Sequence, residues 1–375
     1  MSSSRIVRLR AYAVVPEAPP VRYRGQDPLE TMAMELLRLT LEDGSEGMAG
    51  TLSGWQGAPA GRLLAQAADL APRLIGQDAA RRGVLTQAAL EARAEGGLPE
   101  IESLADIAMW DAWGRHLGVP VWQMLGGFRE RIPAYASTVA YPSIEAYLDD
   151  TRRAAAMGYR AVKFHMNGDP DFDLEMAATV AAAFAASQLR FMVDLEQSYG
   201  FDDAVRLGRM LDGLPFDWME APLADEDLEA YAELNRAVAI DILPAGNTLV
   251  GPDAWTRGLD GGSWSRLRCA VDNSGGITTA IRALALAQAR GVPVELQSFG
   301  HSPAQIANLH VMLGVPGCTW FEHPFPSAPF DHGARNPLQL DAEGRVEAPA
   351  GPGLGLEMDW NRIEAEARAS FDSAA

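Results

Sequence analysis

Lys163 and His165 stand two residues apart in the run Ala161-Val162-Lys163-Phe164-His165. In a strand, residues two apart share a face. An ammonium and an imidazole therefore point one way, and Val162 and Phe164 the other. The same spacing recurs at Asp194 and Glu196, in Met192-Val193-Asp194-Leu195-Glu196-Gln197, and Glu220 closes the apolar run Trp218-Met219-Glu220. Two carboxylates on one face repel unless a cation or protons neutralise them. Three at the ends of successive strand-like runs suit a hard cation, and oxygen ligands with room for a substrate suit Mg2+. A lysine among apolar strands is costly unless a negative group meets it. A histidine near its ordinary pKa of about 6.5 suits proton abstraction at neutral pH. Singly, each has a plainer reading: a solvated rim lysine, a hydrogen-bonded structural histidine, an acidic loop. Their register on neighbouring strands carries the weight.

Those residues need strands to hold them, and the sequence supplies eight candidates: Ile132–Val139, Arg160–Met166, Arg190–Leu195, Phe216–Glu220, Ile240–Ala245, Leu267–Val271, Pro293–Gln297 and Cys318–Glu322. Ala/Leu-rich helical runs alternate with them, such as Asp173–Ala186, Asp202–Leu211 and Ile277–Arg290. The spacing is that of a βα unit. Eight strands with seven intervening helices predict a closed parallel barrel, which leaves no long unpaired edge. An open doubly wound sheet is the alternative, but no Gly-x-Gly-x-x-Gly follows any of these strands.

The carboxyl ends of barrel strands are where sites form. Asn247, after Leu243-Pro244-Ala245-Gly246, offers either a carbonyl ligand or a helix cap. Asp272-Asn273-Ser274-Gly275-Gly276 is a turn that either opens a helix toward an anion or is purely structural. Gln297, Ser298 and His301 follow strand seven, and Glu322 ends strand eight.

The first 127 residues are α+β in pattern: strands at Arg5–Val14 and Thr31–Leu41, the turn Asp43-Gly44, and helices at Gly61–Leu74, Ala79–Arg93 and Ser103–Leu117. A polar loop, Val21–Leu29, lies between the strands. The expected division is a cap over 1–127, a barrel over 128–330 and a Pro/Gly-rich C-terminal segment over 331–375, with an amphipathic stretch near Trp360–Ala367. The net charge of −19 argues against nucleic acid or an anionic membrane as partner. No apolar run reaches the length of a membrane span, and Met1 to Arg10 lacks the apolar core of a signal peptide. A cytoplasmic protein is expected, with Cys269 and Cys318 as buried thiols.

At this point the chain resembles the enolase superfamily, and within it the mandelate racemase-like branch. The resemblance rests on Leu104-Ala105-Asp106-Ile107-Ala108-Met109-Trp110-Asp111, on Val121-Trp122-Gln123-Met124-Leu125-Gly126-Gly127 and on Pro352-Gly353-Leu354-Gly355, and it covers nearly the whole chain. It implies an α/β fold, a modified TIM barrel of (β/α)7β type with an α+β capping domain, and Mg2+-assisted abstraction of a proton α to a carboxylate. It places Lys163 and His165 on the family's Lys-x-Lys position, Asp194 and Glu220 on the first two metal ligands, and Glu322 on a strand-eight carboxylate that contacts substrate. Tyr23 and Arg24 fall on the cap loop that closes over substrate, and symmetric homo-oligomers are implied.

The departures narrow the reaction. Asn247 stands where the third ligand is an acid, and Glu196, usually a neutral position in relatives, is the candidate to compensate. Gln297 replaces the strand-seven base, Ala270 its Asp partner, and Asn273 stands where a strand-six lysine base would be. With only Lys163 and His165 clearly furnished, one-sided chemistry is expected: dehydration of a hydroxy acid or acid sugar, with His165 as base and then acid. An epimerase, racemase or cycloisomerase using His301, Asp272 or water as second acid is the alternative. A non-catalytic binding protein on the same fold is a third.

Overall fold

The computed structural model describes residues 4–17, 21–24, 32–53, 60–83, 86 and 99–374. Three strands open the chain, β1 (Ile6–Val14), β2 (Ala33–Leu41) and β3 (Glu46–Ser53), followed by helices α1 (Arg62–Leu74) and α2 (Pro99–Leu117). The barrel then alternates β4 (Arg131–Ser137), α3 (Ile144–Ala156), β5 (Ala161–His165), α4 (Pro170–Ala183), β6 (Arg190–Asp194), α5 (Phe201–Leu211), β7 (Phe216–Glu220), α6 (Leu228–Ala237), β8 (Asp241–Leu243), α7 (Pro252–Asp260), β9 (Leu267–Cys269), α8 (Gly276–Gln288), β10 (Val294–Leu296), α9 (Ser302–Gly314) and β11 (Phe321–Pro324). The chain ends in β12 (Arg345–Glu347), α10 (Trp360–Glu366) and β13 (Ala369–Asp372).

The barrel strands run parallel in the order β11-β4-β5-β6-β7-β8, with β9 paired to β10. The amides of Ser265 and Arg266 donate to the Ile242 carbonyl, and that of Val294 to the Gly317 carbonyl, which carries the ring across both gaps. Every residue of β5 is buried, because one face meets helices and the other the barrel axis. Local sequence starts the helices: Asp169 accepts from the amides of Asp171 and Phe172 ahead of Pro170, so α4 begins with a capped turn and a proline that needs no donor.

Inward side chains stack in layers. A lower layer of Tyr135, Ala161, Met192, Trp218 and Leu243 packs with the half-buried Trp320. The charged layer lies above it. The register sets His165 opposite Asp194 and Asp194 opposite Glu220, so three functional groups share one height on adjacent strands.

The cap is an antiparallel sheet ordered β13-β1-β2-β3. Its tie to the C-terminal segment is Asp111 on α2, which accepts from the amides of Leu354 at 2.7 Å and Met48 at 3.0 Å. Gly353 has φ +67, and a Cβ there would lie 2.1 Å from the Asp111 carboxylate. Only glycine lets the two segments meet so closely. Strand eight begins later than expected, at Phe321, and the run from Ala79 forms one helical turn over Ala79–Arg81, with much of its remainder outside the described residues. Residues 25–29 of the expected cap loop also lie outside them. Cys269 and Cys318 are buried and unpaired, and no described helix is long and apolar enough to cross a membrane.

Candidate active site

Lys163 sits at the centre of the charged layer, 1% exposed. Its ammonium lies 3.0 Å from Asp194, 2.9 Å from Glu220 and 2.8 Å from Glu322. Three donors thus meet three carboxylates. Burial and the nearby Arg268 push the ammonium down, but Glu220, Glu322 and Asp194 outweigh them and hold it well above the ordinary lysine value. Lys163 is a fixed cation and has no lone pair to act as a base.

Arg268 is the residue that motif reading passes over. It is fully buried on β9, with Nε 2.6 Å from Glu220 and Nη2 2.9 Å from Glu322. Strand alternation signals it: Ala270 is at an inward position, and Arg268 stands two residues before it. Lys163 and Arg268 together grip Glu220 from both sides. Burial, with Asp194 and Glu322 adding to it, holds the Glu220 carboxyl well above its ordinary value, although Arg268 and Lys163 favour the carboxylate.

Glu322 is saturated. One oxygen faces Ser137 Oγ and Lys163, and the other faces Arg268 and the Ser298 amide. Burial works against its charge, but Arg268 and Lys163 hold it below the usual carboxylate range. The expected substrate contact is therefore placed as an internal counter-ion, with its acceptor positions already occupied. Burial likewise pushes Asp194 up, and Lys163 followed by His165 brings it down to about 2.

His165 is 3% exposed, and its Nδ1 meets the carbonyl of Thr138. That carbonyl can only accept, so Nδ1 carries the hydrogen and the neutral ring leaves its lone pair on Nε2. Nε2 lies 3.3 Å from Glu196 and 3.5 Å from Asp194. These atoms belong to one cluster, His165, Asp194 and Glu196, with a ligand atom from each within 4.8 Å of the others. Three facing acceptors need a proton or a cation among them.

Glu196 reaches this place by a route other than strand alternation. β6 ends at Asp194, and Glu196 and Gln197 have φ of 48 and 56. Successive non-glycine residues in the left-handed region are strained. The Asp194 carboxylate accepts the Glu196 amide at 3.1 Å, which holds the turn.

Asn247 is exposed, and its side-chain carbonyl accepts from the hydroxyl of the adjacent Thr248. The chain leaves the barrel at Gly246, whose φ is +79, and turns the following side chain outward.

The other candidates surround this core. Tyr23 and Phe299 place their rings 5.7 and 5.6 Å from the His165 ring, and the Tyr23 hydroxyl faces the Met32 sulfur at 3.6 Å. Arg24 passes Gly168. Gln297 is half-buried, with its side-chain oxygen unpartnered among the described residues. His301 is buried against the Phe330 carbonyl and pushed down to about 4 by burial, so it is neutral. Asp272 accepts from the Thr51 hydroxyl of β3 at 2.8 Å.

Two family models match: the mandelate racemase / muconate lactonizing enzyme N-terminal domain over residues 11–126, and the enolase C-terminal domain-like model over residues 146–362. The chain belongs to the enolase superfamily, in its mandelate racemase/muconate lactonizing enzyme branch. Among its superfamily relatives, N-succinylamino acid racemase of Thermus thermophilus is 30% identical over 306 residues, 78% of this chain and 77% of that one. A crystal structure assigned to the mandelate racemase/muconate lactonizing enzymes, from Pseudovibrio sp., superposes with a TM-score of 0.93 at 33% identity, covering 98% of both chains. D-glucarate dehydratase of Agrobacterium tumefaciens, complexed with magnesium, superposes with a TM-score of 0.83 at 26% identity, covering 98% of this chain and 100% of that one. Superfamily relatives thus include both racemases and dehydratases.

Proposed function

We propose that this protein is an Mg2+-dependent enzyme that removes the proton α to a carboxylate with His165, and that the reaction is dehydration of a hydroxy acid or acid sugar. The observation that carries this reading is the fixed tautomer of His165, with Nδ1 tied to Thr138 and the Nε2 lone pair turned toward the acidic cluster. Beside it Lys163 is a permanent cation.

Asp194 and Glu196 are the residues proposed to hold the metal. Their fit rests on charge and donor type. Asp194, Glu196, Glu220 and Glu322 are four carboxylates, and Lys163 and Arg268 are two cations, so two negative charges remain for one divalent ion. Mg2+ takes oxygen ligands and keeps several waters, which leaves the His165 nitrogen for the proton. When bound, the ion supplies Lewis-acid charge at the substrate carboxylate.

The chain's own residues do the rest. His165 Nε2 accepts the α-proton, and the Lys163 ammonium favours the negative charge that develops beside it. The β-hydroxyl leaves with the proton returned by His165, so water departs from the face on which the proton was taken. Tyr23 and Phe299 shield the imidazole from bulk water. Arg24 and Gln297 are proposed to contact the polar part of the substrate. One-sided dehydration is favoured over racemisation because both second-acid candidates are tied elsewhere: His301 to the Phe330 carbonyl, Asp272 to Thr51. The cap is proposed as residues 1–127 with 331–375, joined through β13 on β1, and the barrel as 128–330.

The test is deuterium incorporation from D2O into a panel of acid sugars with Mg2+ present. Exchange that disappears in His165→Asn, with metal binding kept, is the expected result. No exchange with any acid, despite bound metal, would leave a binding protein on an enzyme's fold.

A further inference from the structure

We propose that Arg268 is an internal counter-ion that withholds Glu220 from the divalent cation, so that the ion is held by Asp194, Glu196 and water. This rests on the metal reading above and says which carboxylates the metal uses. Glu220 ends β7 in register with Asp194, the position from which a strand-end carboxylate would reach a shared ion. Each of its oxygens already faces a cation: Oε2 lies 2.9 Å from Lys163 Nζ, and Oε1 lies 2.6 Å from Arg268 Nε. The guanidinium is fully buried and its Nη2 is also paired with Glu322. A desolvated guanidinium keeps its charge and leaves its carboxylates only at a high cost.

The same backbone feature admits Arg268 and removes Asn247. Gly246 lies against Arg268, and a Cβ there would come within 2.8 Å of the Arg268 carbonyl carbon and oxygen and 2.9 Å of its Cγ. Glycine is needed for this approach, and its left-handed φ turns Asn247 to the surface. The β8 position is thus vacated as a cation arrives on β9. Glu196 and Asp194, with His165 beside them, supply negative charge at the ends of β5 and β6.

The experiment is titration of Mn2+, as a spectroscopic probe, into the full chain, read by the loss of free-ion EPR signal. Glu196→Gln is expected to weaken binding at least tenfold, while Glu220→Gln changes it less than threefold. Arg268→Gln is expected to tighten binding about tenfold by releasing Glu220. Adding Glu220→Gln to Arg268→Gln then returns the affinity to the parent value. If Arg268→Gln does not fold, the Glu196→Gln and Glu220→Gln pair still decides. Tenfold weaker binding in Glu220→Gln would overturn the proposal, as would an Arg268→Gln variant that folds without tightening. A parent chain that binds no Mn2+ would sink the metal reading. Binding gained in Arg268→Gln would then uphold the role of Arg268, and none gained would overturn both.

Discussion

Arg266 and Arg268 stand two residues apart at β9, and they meet water very differently. The Arg266 side chain, 15% exposed, pairs with Asp241 and Glu295, each at 2.7 Å, and its guanidinium lies 5.3 Å from the centre of the Trp218 ring. Arg268, wholly buried, pairs with Glu220 and Glu322. Water partly screens the contact to Asp241, at 37% exposure, so that contact is worth little, while Glu295 is 1% exposed. The second is desolvated, so each charge depends on all the others. The same residue type is a rim clamp just before β9 and part of the charged layer within it. Depth alone separates them.

Breaking the deep network should have the largest effect. Lys163→Met leaves Asp194, Glu220 and Glu322 without their shared cation. We expect α-proton exchange to fall by about 10²–10³-fold and stability by roughly 3–5 kcal/mol, read by D2O exchange and urea unfolding. Unchanged unfolding would contradict the caged geometry.

His310 solves burial differently, by staying neutral. Its Nδ1 accepts the Trp122 amide and its Nε2 donates to the Leu354 carbonyl, each at 3.0 Å, and burial lowers it to about 4. The unfolded chain takes up this proton near pH 6.5 and the folded one only near 4. The stabilisation from neutral His310 is therefore whole above 6.5 and is lost as pH falls toward 4. The stability gap between the parent and His310→Gln should narrow across that window, by at most about 3 kcal/mol. A gap that is constant with pH would refute it.

The rim clamp should matter less. Arg266→Gln leaves the buried Glu295 without its cation and is expected to cost about 1–3 kcal/mol in urea unfolding, and to leave Mn2+ affinity unchanged. A change in affinity would show that the two networks communicate through Trp218. The smallest effect is expected for Asn247→Ala, because its side chain faces solvent: Mn2+ affinity within about twofold of the parent. A larger loss would return Asn247 to the metal site.

Much of this molecule is legible in order along the chain. Barrel strands buried on both faces read as apolar runs, and their spacing predicts the (β/α) order. β3 is less visible. A Cβ on its Gly47 would sit 2.0 Å from the Ala108 carbonyl, and one on its Gly50 would sit 2.6 Å from Leu36. Close packing demands glycine at both positions and erases the alternation by which strands are recognised. β13 is short and exposed at its first two residues, so it carries little apolar signal.

The sequence by itself determined the barrel and the strand-end positions of Lys163, His165, Asp194 and Glu220. Those are local matters of period and residue type. Only the tertiary structure decided which charges pair. Lys163, Arg268, Glu220 and Glu322 come from four separate strands, and long side chains in a desolvated ring choose partners by distances across the barrel. For the same reason Asn247 turned outward, Glu322 became a counter-ion, and an arginine outside every motif became the buried partner of Glu220 and Glu322.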